Sequence, residues 1–122
     1  SAMGTGMTES SGVFTFPSTG HWLVTYEMSY RVYVLVAYLY GYIKQSTNSG
    51  SSYGDAMSNA GNALSSGGAV VYGSHTMSAI IDVTNASTHR LKFSVFSSNG
   101  ASTGKIHAGV GTKMTFIKLG AT

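Results

Sequence analysis

Four histidines, His21, His75, His89 and His107, are the side chains here best suited to hold a metal or move a proton. None stands in a His-x-His or His-x₃-His spacing, so local structure brings no two of them together. A surface or hydrogen-bonded histidine outweighs a metal ligand at each position. The chain has no cysteine, which excludes a disulfide scaffold and a thiolate-built zinc or iron–sulfur site. A carboxylate pair for glycoside hydrolysis would have to come from Glu9, Glu27, Asp55 and Asp82 alone. Nineteen serines make chance matches to a nucleophilic triad easy, but no Gly-x-Ser-x-Gly sits in a strand–turn–helix setting. Ser74, in Gly73-Ser74-His75, falls between expected strands. Gly109-Val110-Gly111-Thr112-Lys113 echoes a phosphate loop without its spacing or its following helix. The expectation is therefore a non-enzymatic chain with no cofactor and no metal site.

The tyrosines carry more information. Tyr33, Tyr38, Tyr40 and Tyr42 lie within one run, the last three on the even side with Val32, Val34 and Val36. Such a face suits a sugar platform or a subunit interface. The flanking valines extend the apolar character, which favours the interface. Recognition concentrates in loops on a rigid scaffold. Two long polar excursions, Asn48 to Gly68 and Ser97 to Gly111, supply Asn48, Ser51, Ser52, Tyr53, Asn59, Asn62, Asn99, Ser102 and His107 as candidate ligand-binding side chains. Their hydroxyls and amides suit hydrogen bonding to a glycan or a host surface, and equally suit solvation.

The elements that must position these groups are strands. Charged residues make up 9% of the chain and Gly, Ser and Thr about two-fifths of its 122 residues, unlike an ordinary helical domain. Val13–Phe16 reads as a short strand stopped by the Pro17-Ser18-Thr19-Gly20 turn. From His21 to Met28 the pattern alternates, with Trp22, Val24, Tyr26 and Met28 on one side. Arg31 to Thr47 reads as one strand apolar on both faces, with a bend expected near Gly41. Ala69–Tyr72, Thr76–Thr84, His89–Ser97 and Thr112–Leu119 follow. Met77, Ala79, Ile81 and Val83 share one face, Leu91, Phe93 and Val95 another, and Met114 and Phe116 stand opposite Ile117 and Leu119.

Seven Lys and Arg against four Asp and Glu give +3, but the basic residues are scattered, which argues against nucleic acid. The longest apolar run, Val32 to Ile43, is too short to cross a bilayer as a helix. Asn85-Ala86-Ser87 fits the glycosylation acceptor pattern, which matters only in a eukaryotic secretory route and is otherwise a turn. Ser1 to Gly4 reads as vector-derived and residues 5–122 as a single all-β sandwich domain. Two strands apolar on both sides cannot both be covered within one small sandwich. Association with further copies is expected, through Val32, Val34, Val36, Tyr38, Tyr40, Tyr42, Met114 and Phe116.

The stretch Gly12-Val13-Phe14-Thr15-Phe16-Pro17-Ser18-Thr19-Gly20-His21-Trp22 resembles the opening of C1q/TNF-like jelly rolls. Met114-Thr115-Phe116-Ile117-Lys118-Leu119-Gly120 resembles their final strand. Ile43-Lys44-Gln45 with Asn48-Ser49-Gly50-Ser51-Ser52-Tyr53, and Ile81-Asp82-Val83-Thr84-Asn85, are similar to internal stretches of the viral and bacterial branch. The resemblance covers residues 10 to 120 or so. It implies an antiparallel jelly roll of about 8–10 strands assembled as a homotrimer at the tip of a fibre. A viral (phage) tail fibre, or an extracellular or cell-surface fibre, that trimerises and attaches to a host surface or glycan is the implied setting. A purely structural trimerisation domain is the alternative, and a glycan-processing enzyme a distant third. Animal members often carry cysteines and calcium-binding acids; with no cysteine and four acids here, calcium is not expected.

Overall fold

The computed structural model describes residues 5–32, 39–61, 71–97, 104–106 and 111–122. Every regular element among them is a strand: β1 (Thr8–Ser10), β2 (Val13–Thr15), β3 (Gly20–Val32), β4 (Leu39–Ser46), β5 (Gly54–Gly61), β6 (Val71–Val83), β7 (Arg90–Ser97), β8 (Gly104–Ile106) and β9 (Lys113–Gly120). β1 and β2 close a hairpin through Ser11 and Gly12, whose φ of 51° and 79° are the left-handed pair that a two-residue hairpin turn needs.

Two antiparallel sheets form a sandwich. One has the order β1-β2-β7-β4-β5. In the other, β6 pairs with β3 along all thirteen residues of each strand, and β8 and β9 share the opposite edge of β3. Between the described residues of β8 and β9, the Thr112 hydroxyl accepts from the Ser29 amide at 3.0 Å and donates to the Ser29 carbonyl at 3.1 Å.

Alternation fills the space between the sheets. Trp22, Val24, Tyr26, Met28 and Tyr30 on β3, with Met77, Ile81 and Val83 on β6, meet Leu39, Ile43 and Leu91 from the facing sheet; Phe16, just past β2, joins them. Phe14, Phe93 and Phe116 pack together across the gap, with centroids 5.2 to 6.0 Å apart. The expected inward faces of β3 and β6 are as read, and Leu91 and Phe93 also point inward.

Four expectations change. The run Arg31 to Thr47 is not one strand: Val32 ends β3 in one sheet, and Leu39 begins β4 in the other. A straight strand of that length would span about 56 Å, well beyond the thirteen-residue strands β3 and β6; sharing the run between sheets lets each strand bury one face. The irregularity expected near Gly41 lies at Ile43/Lys44, where Ala56 is the extra residue on β5. Gly41 itself stays in regular register, buried, with the Met77 side chain packed where a β-carbon would sit.

The long excursion from Asn48 also contracts. Gly54–Gly61 is strand β5, whose low intrinsic propensity is overridden by its ladder with β4. The described part of the two expected strands Ala69–Tyr72 and Thr76–Thr84 is one strand: β6 (Val71–Val83) runs unbroken through Gly73, which sits under the Tyr30 ring, while residues 69 and 70 fall outside the described residues.

Candidate functional site

The outward face of the five-stranded sheet collects the aromatic and basic side chains. On β4 the inward positions are Leu39, Gly41 and Ile43, so Tyr40, Tyr42 and Lys44 point out. The register with β7 sets Tyr40 opposite Phe96, Tyr42 opposite Ser94 and Lys44 opposite Lys92. On the other flank Lys44 is paired with Asp55. The result is an aromatic end and a basic end on one surface.

At the aromatic end the Tyr40 ring lies 6.2 Å from Tyr42 and 6.4 Å from Phe96, centroid to centroid. Phe96 keeps 51% of its surface exposed, an uncommon setting for a phenylalanine on a regular strand.

At the basic end two ammonium groups occupy directly opposed positions, where like charges repel. Lys44 is neutralised by Asp55 at 2.6 Å and lies 4.7 Å from the centre of the Tyr42 ring. Lys92 stands 4.0 Å over the ring of Tyr53. No carboxylate among the described residues lies within 4.0 Å of Lys92. Glu27 pairs with Lys113 and Asp82 with His21, while Glu9 accepts from the Gly12 amide.

The loop before β5 holds Tyr53 in place. Ser46, buried, donates to Asn48 Oδ1 at 2.7 Å and accepts from the Gly50 amide at 2.9 Å. Asn48 Oδ1 also accepts from the Ser52 amide, and Asn48 Nδ2 donates to Ser52 Oγ. Ser49 donates to the Thr88 carbonyl at 2.9 Å and ties the loop to the turn before β7. Asn48 and Ser52, expected to reach a ligand, spend their side chains on the loop's own conformation. Ser51 and Tyr53 remain at the surface, Ser51 exposed and Tyr53 half-buried.

Other expected residues scatter. Tyr40 and Tyr42 lie on the outer face of their sheet, but Val32 belongs to the other sheet. Met114 and Phe116 point inward and pack half-buried on the chain's own core, so the outward residues of β9 are Ile117 and Leu119. Asn59 lies on β5 opposite Gly41 rather than in a loop. Val34, Val36, Tyr38, Asn62, Asn99, Ser102 and His107 fall outside the described residues. Sequence reading missed Lys44, Asp55, Lys92 and Phe96. Alternation along β4 and β7 put Lys44 beside the tyrosines and Lys92 outward, but only the register between strands joins them.

The described histidines stay apart, and no group of three metal-ligating side chains occurs among the described residues. His21 lies 3.7 Å from Asp82 on an exposed edge. His75 faces inward beside Met28, its Nε2 buried without a hydrogen bond. His89 is buried, bonded to Gln45 and edge-on to Phe16.

Two further surfaces stand out. On the outer face of the four-stranded sheet, Ile80, Leu23 and Ile117 form one row across β6, β3 and β9, with Ile80 66% and Ile117 50% exposed. An open groove of about 940 Å³ runs between the N-terminal segment and β9, over Met7, Pro17, Trp22, Met114 and Phe116. Among its described lining residues Lys118 alone is ionisable, and its ammonium is held by Ser18 Oγ at 3.1 Å. No family model matches this chain, and no curated protein is recognisably similar to it.

Proposed function

We propose that the chain is a non-enzymatic, homotrimeric head domain of a surface fibre, such as a viral (phage) tail fibre, that trimerises and attaches to a host surface or glycan. The observation that carries this reading is the outward aromatic cluster of Tyr40, Tyr42 and Phe96 on adjoining strands of one sheet. Aromatic side chains dominate the buried centres of interfaces. With charged residues at 9% of the chain, little charge is left to keep such a face soluble and monomeric.

The jelly-roll reading draws support from nesting. β4 pairs with β5, β3 with β6 and β2 with β7, as in one long hairpin rolled on itself. Three copies on one axis would present three identical loops at fixed spacing, so weak contacts add through multivalency. The occupant of the aromatic face is a second copy of the chain, in keeping with the closed symmetry common to homo-oligomers.

The purely structural alternative has its own support: Asn48 and Ser52 are consumed inside their loop and leave fewer groups for recognition. A whole-cell and glycan-array binding assay on the chain separates the two. Selective binding supports attachment, and a trimer that binds neither cells nor sugars supports the scaffold.

A further inference from the structure

We propose that the Lys92–Tyr53 corner of the five-stranded sheet binds a carboxylated sugar. The inference deepens the attachment reading above, and rests on it for biological use, by naming the class of ligand.

Two lysines stand opposite each other across β4 and β7, an arrangement that costs stability unless each charge is answered. Asp55 answers Lys44. The other acids are engaged elsewhere, so among the described residues Lys92 has the face of Tyr53 beneath it and no carboxylate beside it. A ring face restrains an ammonium without using its hydrogen-bond donors. The Lys92 head is therefore held in position with donors left for an external anion.

The surroundings select a sugar over a bare anion. Tyr53 directly follows a loop hydrogen-bonded through Ser46, Asn48 and Ser52, which lowers the ordering entropy lost on binding. Ser94 and Ser58 flank Tyr42 one row away and Ser51 lies exposed in the same loop as Tyr53, giving hydroxyl partners within a sugar's reach. A lone lysine beside aromatic rings suits a carboxylate on an amphipathic ring. A phosphate site commonly adds an arginine fork or a nest of amides, and among the described residues Lys92 is joined by neither. The corner lies four residues along β4 from Tyr40, at the rim of the proposed subunit contact rather than at its centre.

The test titrates the isotope-labelled chain with methyl β-glucuronide, methyl β-glucoside and sodium acetate at matched ionic strength, reading amide shifts of Tyr53 and Lys92. The glucuronide should move these signals with a millimolar midpoint, while glucoside and acetate leave them in place. Lys92→Gln, an outward change that leaves the core intact, should weaken binding roughly tenfold, the loss expected for one charge-assisted hydrogen bond. Lys113→Gln, on the other sheet, should not. Equal response to glucoside, equal response to acetate, no response to glucuronide, or full binding by Lys92→Gln each overturns the proposal. The mass of the assembly, measured on the same samples, is a separate readout. A trimer that ignores glucuronide removes this inference and spares the trimer; a monomer that binds it does the reverse.

Discussion

His89 Nε2 lies 3.0 Å from Gln45 Oε1, joining the start of β7 to the end of β4 at a buried end of the sandwich. Phe16 packs edge-on against the imidazole, with centroids 5.4 Å apart. The pair, with Phe16 against it, stitches the segment after β2 to the two central strands of its sheet.

Burial pushes the His89 pKa below its ordinary value of 6.5; the charge of Asp82 works against that shift and the charge of Arg90 with it. The unfolded chain takes up a proton near pH 6.5 that the folded chain refuses. The contribution of His89 is therefore complete above about pH 6.5 and is lost as the pH falls from there toward the folded value. Denaturant unfolding at pH 7.5 and 5.5 should show the wild type weaker at 5.5. His89→Gln should flatten that difference. Equal pH dependence in both proteins would show that His89 is not its source. Gln45→Leu, which leaves the buried imidazole without its partner, should cost about 1–3 kcal/mol at pH 7.5.

Gly41 on β4 lies against the Met77 side chain of β6. A β-carbon there meets the end of the Met77 side chain. Gly41→Ala should be mild, because a methionine end can swing aside. Gly41→Val should cost about 1–3 kcal/mol by overpacking. Pairing Gly41→Val with Met77→Ala should recover part of the loss, since the two changes share one space. Strict additivity in urea unfolding would show that the clash is not the cause.

Ser46→Ala removes a buried hydroxyl that bonds Asn48 and Gly50. The expected cost is about 1–3 kcal/mol. Because the same loop carries Tyr53, the variant should also loosen the seat of Lys92. Faster amide exchange at Gly50 and Ser52, with the β3–β6 ladder unchanged, is the expected pattern. Unchanged exchange at both amides would mean the loop is held by other bonds.

The parts of the fold visible in sequence are those governed by alternation. Trp22, Val24, Tyr26 and Met28 on β3, and Met77, Ile81 and Val83 on β6, face the core as a period of two requires. Pairing is a different kind of information. Nothing in Gly54–Gly61 marks a strand; the segment is ordered by the β4 edge beside it. The Arg31–Thr47 run looked continuous because hydrophobicity does not register a passage from one sheet to another. On β9 both sides are apolar, so pattern alone could not tell that Met114 and Phe116 turn inward and Ile117 and Leu119 outward. The candidate site shows the same division. The tyrosines were legible by type, but the opposition of Lys44 and Lys92 depends on strand register, and the use of Asn48 inside its own loop depends on a Ser46 that sequence gave no reason to notice.

The central claim is that the face bearing Tyr40, Tyr42 and Phe96 is covered by further copies of the chain. The most direct test is sedimentation equilibrium at micromolar concentration on the wild type and on Phe96→Glu, an outward substitution at a half-exposed position. The account predicts a wild-type mass three times that of the 12.7 kDa chain, and a folded monomer for Phe96→Glu. A wild-type protein that sediments as a single chain, or a Phe96→Glu variant that still forms a stable trimer, would contradict it.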